Sequence, residues 1–292
     1  MACEKKVIAL LKGGLGNQLF IYAAARAFAL NNNAKLYLDA ESGFYRDPYK
    51  RNYRLSSFLI NTEVLSCRSV AASKFRRPQL RLLRAINKLF PKNRRSYLAQ
   101  DWNSDPSQLT ELQTLAQSVL LVGYWQEEGY FEAIESILRE EIKVPHPANS
   151  DLLNLGESML GCESVFIHFR RNDFPYLIDY QYYQRAVDEC KSVMEDPIFF
   201  LFGDETEEGR KLINFNGASV KTVSDQSHSE LEDLWLMTCC NHGIIANSSF
   251  SWWAAWLKGC DPHQKVWAPL NMGWSMKPGK KWNAIHNEIV KV

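Results

Sequence analysis

Two consecutive arginines, Arg170 and Arg171, follow the apolar run Ser164–Phe169 in the stretch His168-Phe169-Arg170-Arg171-Asn172-Asp173. A guanidinium at the end of a buried strand is costly unless it meets an anion, and its planar fork matches phosphate oxygens two at a time. Successive strand side chains face opposite ways. One arginine is therefore expected to reach a ligand while its neighbour ties down Asp173 or the strand end; the alternative is a pair spent on a surface salt bridge. His168 reads either as a hydrogen-bonded core histidine or as a catalytic one. A second cluster, Asn247-Ser248-Ser249, lies between an apolar run and the Trp-rich segment Phe250–Leu257. Small hydroxyl residues there cap a helix. The same junction collects free N–H groups and the positive end of the helix dipole, which suits a phosphate. Together with an arginine it would clamp a diphosphate from two sides.

A third group is Lys12–Gln18, KGGLGNQ. Read as a dinucleotide fingerprint from Gly14 and Gly16, it lacks the third glycine, and Asp39 falls 25 residues after Gly14 rather than about 20. That disfavours a nicotinamide-dependent oxidoreductase. A glycine turn that lets backbone approach a ligand, with Asn17 and Gln18 ready to hydrogen-bond sugar hydroxyls, fits better. Asp204-Glu205 read as loop acids, because adjacent carboxylates point apart. Cys239, Cys240 and His242 lack the second ligand pair that zinc needs. No metal site is expected.

These groups need a scaffold of alternating strands and helices. Val7–Leu11 reads as a strand, Gln18–Leu30 as an Ala-rich helix, and Lys35–Asp39 as a second strand, the opening of a Rossmann-like unit. After a less regular middle come a strand at Val119–Val122, the stretch Gly123–Phe131, a helix to about Glu141, and a linker marked by Pro145, Pro147, Asn149 and Ser150. The rhythm then resumes. Strands are expected at Ser164–Phe169, Pro197–Phe202, Ser219–Val223, Gly243–Ala246 and Lys265–Ala268. Helices are expected at Tyr182–Met194, Thr206–Ile213, Ser229–Asn241 (with a Ser229/Glu232 capping box) and Ser249–Lys258. Short apolar strands alternating with helices imply parallel sheets covered on both faces. Two such halves, 1–150 and 151–292, imply a cleft with ligands at the strands' carboxyl ends.

With 46% hydrophobic and 23% charged residues, the 292-residue chain is not disordered. Thirty-four Lys and Arg against 33 Asp and Glu leave a net charge of +1, so nucleic acid is not expected as a partner and any anion site must be local. Lys74–Arg95 is the exception, with nine basic residues and no acid among Leu80, Leu82, Leu83, Ile86, Leu89 and Phe90. It reads as a solvated helix packing its leucines inward, or as a basic amphipathic helix on an anionic membrane. Nine tryptophans point to core packing or to stacking on sugars. Seven irregularly spaced cysteines read as free thiols in a reducing compartment. The short apolar run after Met1–Lys6 is too brief for a signal peptide, so a cytoplasmic location is expected, at most peripheral to the membrane.

Four blocks now show a resemblance. GGLGNQLFIYA (Gly13–Ala23), GYWQEEGYF (Gly123–Phe131), IHFRRNDF (Ile167–Phe174) and DLWLMTCCNHGIIANSSFSWWAAWL (Asp233–Leu257) resemble the α-1,2-fucosyltransferases, glycosyltransferase family 11. The resemblance implies an α/β fold of the GT-B type, two Rossmann-like domains facing a cleft. It implies inverting, metal-independent transfer of fucose from GDP-fucose to a galactoside on an oligosaccharide or glycolipid, with no cofactor. The N-terminal domain would serve the acceptor and the C-terminal one the donor. By the same resemblance Arg170 contacts the diphosphate, with Arg171 and Asp173 shaping the site. Asp233 holds guanine, Ser248 and Ser249 the phosphates, with Asn247 beside them as a donor-binding candidate, and Gly14, Gly16 and Asn17 line the cleft from the N-terminal side. Gln18, Asp39, Trp125 and Glu128 are acceptor-side candidates, and Asp39, Glu128, His168 and Asp173 are candidate bases. Asn172 stands where the family has glycine and Phe174 where it often has tyrosine; Glu127 and Gly129 replace the Ser and Lys common in that block. The departures at Asn172 and Phe174 leave open a related donor such as GDP-colitose, and those at Glu127 and Gly129 bear on the acceptor.

Overall fold

The structure is a computed structural model and describes residues 4–60, 62–65, 82, 85–87, 89–101, 105–170, 176–224, 228–259, 262–273 and 276–291. The chain divides into two compact units, Met1–Ile142 and Lys143–Val292. Each is an α/β unit built on a parallel sheet.

In the first unit the strands are β1 (Lys6–Leu10), β2 (Lys35–Asp39), β3 (Glu63–Leu65), β4 (Tyr97–Ala99) and β5 (Ser118–Val122). Their order is β3-β2-β1-β5-β4, and every pairing is parallel. The helix Leu15–Asn31 buries residues on all sides, Phe20, Tyr22, Ala24 and Phe28 among them, as a helix inside a core must. It stops at the asparagines. Asn32 donates to the carbonyls of Phe28 and Leu112 and accepts from the Thr114 N–H, while Asn33 takes a left-handed φ of 49°. Glu141, nearly buried, accepts from the Tyr22 hydroxyl at 2.5 Å and from the Arg26 guanidinium at 2.8 and 3.1 Å. That triad fastens the helix Glu135–Glu141 to the first unit, so the boundary falls at Ile142 rather than at residue 150. Removing Arg26 would leave the Glu141 carboxylate without its counter-charge, at a cost of up to about 3 kcal/mol for this partly buried pair.

The second unit holds β6 (Ser164–Phe169), β8 (Ile198–Gly203), β9 (Val220–Thr222), β10 (His242–Ile244), β11 (Val266–Pro269) and β12 (Asn283–Ile285) in the order β12-β11-β10-β6-β8-β9, all parallel. An antiparallel pair, β7 (Tyr176–Ile178) and β13 (Ile289–Lys291), completes it. Every residue of β6 is buried, as expected of a strand covered on both faces. Val165, Ile167 and Phe169 pack with Tyr182, Tyr183, Ala186 and Val187 of the helix Tyr180–Val193. Phe166, on the opposite face by alternation, lies so close to Gly243 that a Cβ there would sit 2.3 Å from its ring. Trp252, Trp253 and Trp256 of the helix Ser249–Leu257 are buried, as is Trp267. For these four, core packing is what the tryptophans are for.

The capping box on the helix Glu230–Cys239 is formed as expected. A helix at Ser150–Leu160 was not anticipated. Asn149, read as linker, is its N-cap and accepts from the Asp151 N–H. The described cysteines, Cys162, Cys190, Cys239 and Cys240, are free thiols, and burial pushes Cys190 up to about 12 and Cys239 up to about 11. Among the described residues no helix is long and apolar enough to cross a membrane.

Candidate active site

An open parallel sheet binds ligands where its strand order reverses, because the loops on either side diverge and leave a crevice at the strands' carboxyl ends. In the second unit the chain runs outward from β6 to β8 and β9, then returns to β10 on the other side of β6 and continues to β11 and β12. The reversal therefore lies between β6 and β10. Arg170 and the Asn247–Ser249 turn follow those two neighbouring strands. The topology thus brings to one edge the two clusters that the sequence had separated by about eighty residues.

Arg170 is half-buried directly after Phe169. Beyond β10, Asn247 and Ser248 are each 1% exposed and Ser249 is 6% exposed. Ser248 caps the helix Ser249–Leu257: its hydroxyl oxygen accepts from the Phe250 N–H at 3.3 Å, and its carbonyl accepts from the Trp252 N–H at 3.0 Å. The first-turn N–H groups of such a helix have no acceptor within the helix and carry its positive dipole end. Asn247 donates to the Tyr176 carbonyl at 2.8 Å, while its buried Oδ1 has no partner among the described residues.

His168 is buried, its ring 5.8 Å from that of Phe250, and its carbonyl accepts from the Tyr183 hydroxyl. It lies inside the unit, between β6 and the helix that Ser248 caps. Arg171 and Asp173 lie outside the described residues.

On the other flank of β6, Gly203 ends β8 with φ at +108°, and a Cβ there would fall 1.9 Å from the Phe169 carbonyl oxygen. Only glycine fits. Its N–H donates to the Ser224 hydroxyl at 3.1 Å, and that hydroxyl donates to Asp233 Oδ2 at 2.6 Å. Nδ1 of His228 stands 3.3 Å from Asp233 Oδ1. Asp233 is thus held by two residues that nothing in the sequence flagged, since neither stands at a diagnostic spacing from it. Glu205 accepts from the Tyr180 hydroxyl at 3.5 Å. Among the described residues no three His, Cys, Asp or Glu side chains gather around a common point.

In the first unit the reversal falls between β1 and β5. Gly13 opens the β1 loop with φ at +76°, and Gly14 is the N-cap of the helix that contains Gly16. Asn17 Oδ1 accepts from the Gln126 amide at 2.8 Å, linking the loops after β1 and β5. The Lys12 ammonium sits 4.0 Å from the Tyr124 ring centre, and burial lowers its pKa below the usual lysine value. Gln18 departs from expectation. It is fully buried and donates to the carbonyls of Gly13 and Asn52, and its Oε1 accepts from the Arg54 N–H, all at 2.9 Å. Its side chain pins loops together instead of presenting itself to a sugar.

Asp39 ends β2 and is 2% exposed. Its Oδ1 accepts from the N–H groups of Glu41 and Ser42, and its Oδ2 has no partner among the described residues. Trp125 holds a positive φ of 54°, a costly conformation for a bulky residue. Gln100 Oε1 holds it there by accepting from the Tyr124 and Trp125 N–H groups. The indole lies edge-on to Tyr130, with Nε1 buried and unpartnered among the described residues. Glu128 is half-buried at the start of the turn Glu128–Tyr130. Lys12, Gln100 and Gln126 were given no role in the sequence; Lys12 and Gln126 lay in stretches that had been singled out, and Gln100 did not.

Two α/β units, each built on a parallel sheet with polar groups gathered at its strand-order reversal, have the GT-B fold of glycosyltransferases. Residues 6–269 match the model of glycosyl transferase family 11, and the chain belongs to that family. The resemblance carried by the four motif blocks is borne out. An α-1,2-colitosyltransferase of Escherichia coli is 33% identical over 268 residues, covering 87% of this chain and 88% of the relative. Human galactoside α-(1,2)-fucosyltransferase 1 is 27% identical over 145 residues, covering 42% and 40%. Among solved structures, the NodZ α-1,6-fucosyltransferase soaked with GDP-fucose is similar at a TM-score of 0.55 and 17% identity, over 99% of both chains. That likeness concerns the fold. The nicotinamide reading of the glycine loop falls with the family assignment.

Proposed function

We propose that this enzyme transfers L-fucose from GDP-β-L-fucose to the 2-hydroxyl of a terminal β-galactoside, forming an α-1,2 linkage with inversion and without a metal. The reading rests on the family match, reinforced by an arginine and a capped helix start on neighbouring strands. As the bond from the sugar's C1 to the diphosphate breaks, negative charge grows on the departing GDP. Arg170 and the N–H groups of the Ser248–Ser249 turn are the donors that would take it up, the task a divalent ion performs in other transferases. Asp233, oriented by Ser224 and His228, would accept from the guanine edge. The acceptor hydroxyl attacks C1 from the opposite face, and its proton passes to a carboxylate. Asp39 is our choice, because its Oδ2 has no competing donor among the described residues. The test is turnover of GDP-fucose with β-galactosides, with and without chelator. An α-1,2-linked product formed at an unchanged rate in EDTA is expected. Strong inhibition relieved by Mg or Mn would refute the metal-free step.

A second reading is favoured by the relative named as a colitosyltransferase. Colitose is fucose without its 3-hydroxyl, so GDP-colitose would keep every nucleotide contact and change one sugar contact. Parallel assays with both donors decide between them. A site that hydrogen-bonds the 3-hydroxyl would discriminate strongly against the sugar lacking it.

A further inference from the structure

Lys74–Arg95 carries nine of the chain's 34 basic residues and none of its 33 acids, which leaves the remainder at net −8. Within it, residues 82 and 85–87 are helical. Asn87 is 6% exposed, and its Oδ1 accepts from the N–H groups of Ser96 and Tyr97, fastening the turn to the start of β4. The apolar residues that are described do not pack inward, unlike the first of the two sequence readings; Leu80 and Leu83 lie outside the described residues. Leu82 is 61% exposed, Ile86 43%, Leu89 83% and Phe90 47%. Leu82 and Ile86 are about one helical turn apart, and Leu89 and Phe90 follow in the turn after the helical residues. Buried Asn87 anchors the segment while these four apolar side chains stay open to solvent.

Three exposed or half-exposed cations follow at once. Lys92 donates to the neutral Gln108 side chain and Arg95 to the Phe90 carbonyl. Neither these two nor Arg94 meets a carboxylate among the described residues. Apolar side chains bordered by unpaired cations suit a surface that is anionic at its face and hydrocarbon just beneath. Nucleic acid would satisfy the cations and leave the aliphatic side chains in water. A second copy of this chain would bring the same positive charge against itself.

We propose that these described residues dock the enzyme on an anionic lipid bilayer, with Leu82, Ile86, Leu89 and Phe90 entering the headgroup boundary and Lys92, Arg94 and Arg95 on lipid phosphates. The experiment is flotation of the full chain with vesicles of phosphatidylcholine, alone or with about 30% phosphatidylglycerol, at about 0.1 M and about 1 M salt. Binding to the mixed vesicles at low salt is expected, falling steeply at high salt. The combined K92E, R94E and R95E variant should bind more than about a hundredfold more weakly. The Leu89→Ser and Phe90→Ser changes should each cost up to about tenfold. Each variant should keep the parent's melting temperature and its affinity for GDP, so misfolding is told apart from lost docking. Equal binding to both vesicle types, binding indifferent to salt, or unimpaired binding by the serine variants would overturn the proposal. So would self-association through the stripe, or capture by duplex DNA, with no vesicle binding.

Discussion

The two strand-order reversals differ in what they present. In the second unit, between β6 and β10, there is an arginine and a serine-capped helix start, both suited to concentrated negative charge. In the first unit, between β1 and β5, there is a glycine turn whose groups are mostly tied to one another, Asn17 to Gln126 and Gln18 to Gly13, Asn52 and Arg54. Around it lie a carboxylate oxygen and an indole N–H that are buried and unpartnered among the described residues. One architecture thus carries a guanidinium and a capped helix start at one reversal and a glycine turn with buried polar groups at the other, and the proposed division of labour between donor and acceptor rests on that difference.

The comparison breaks most readily at Arg170. Arg170→Ala should lower kcat/KM for the GDP-sugar by about 10³-fold, and Arg170→Lys, which keeps the charge without the fork, by less. A near-normal rate for the alanine variant, measured by steady-state kinetics, would remove the anion-binding role. On the other side, Asp39→Asn keeps an oxygen for the Glu41 and Ser42 N–H groups but cannot take a proton. It should lower kcat by about 10²-fold while leaving KM for the donor nearly unchanged. A change confined to KM would make Asp39 a loop anchor only.

How much of this was legible in the sequence depends on how local the cause is. Two strands, Lys35–Asp39 and Ser164–Phe169, were read to the residue because short runs rich in strand formers between turn signals leave little choice. The helix Ser150–Leu160 was hidden, since Asn149 and Ser150 serve equally as linker or as cap. The pairing of β7 with β13 joins distant segments and left no local trace. Arg170 and Ser248 were singled out by residue type, but that they follow neighbouring strands comes from the strand order, which only the folded chain reveals. That the Gln18 amide turns inward to Gly13, Asn52 and Arg54 was not legible, because an amide's chemistry is visible in sequence and its direction is not.

Glycines sharpen the comparison through stability. Gly203→Ala adds a Cβ against a backbone oxygen at a positive φ and should cost more than about 3 kcal/mol in denaturant unfolding. For Gly13→Ala the obstacle is the Asn17 side chain, 2.5 Å from the added carbon. That group can swing away, so the cost should be only about 1–2 kcal/mol. Equal losses would show that the two turns are constrained alike.

Smaller still is the effect of Lys12→Met. Burial lowers the Lys12 pKa, so below the unfolded value of 10.5 the unfolded chain holds this proton more tightly than the folded one. Stability contributed by this group therefore rises as pH climbs through the folded pKa toward 10.5. The methionine variant should be slightly more stable than the parent at neutral pH, by less than about 1 kcal/mol. The advantage should shrink as pH rises over that window. A variant less stable at every pH would mean that the contact with Tyr124 outweighs the cost of burial.

The central claim is that the diphosphate is held at the β6–β10 edge. Calorimetric binding of GDP and of guanosine, to the parent and to Arg170→Ala, isolates that contact because the two ligands differ only in the phosphates. The account predicts that GDP binds the parent about 10²-fold or more tightly than guanosine, and that this ratio drops to about tenfold or less in the variant while guanosine affinity is kept. An unchanged ratio in Arg170→Ala would contradict it.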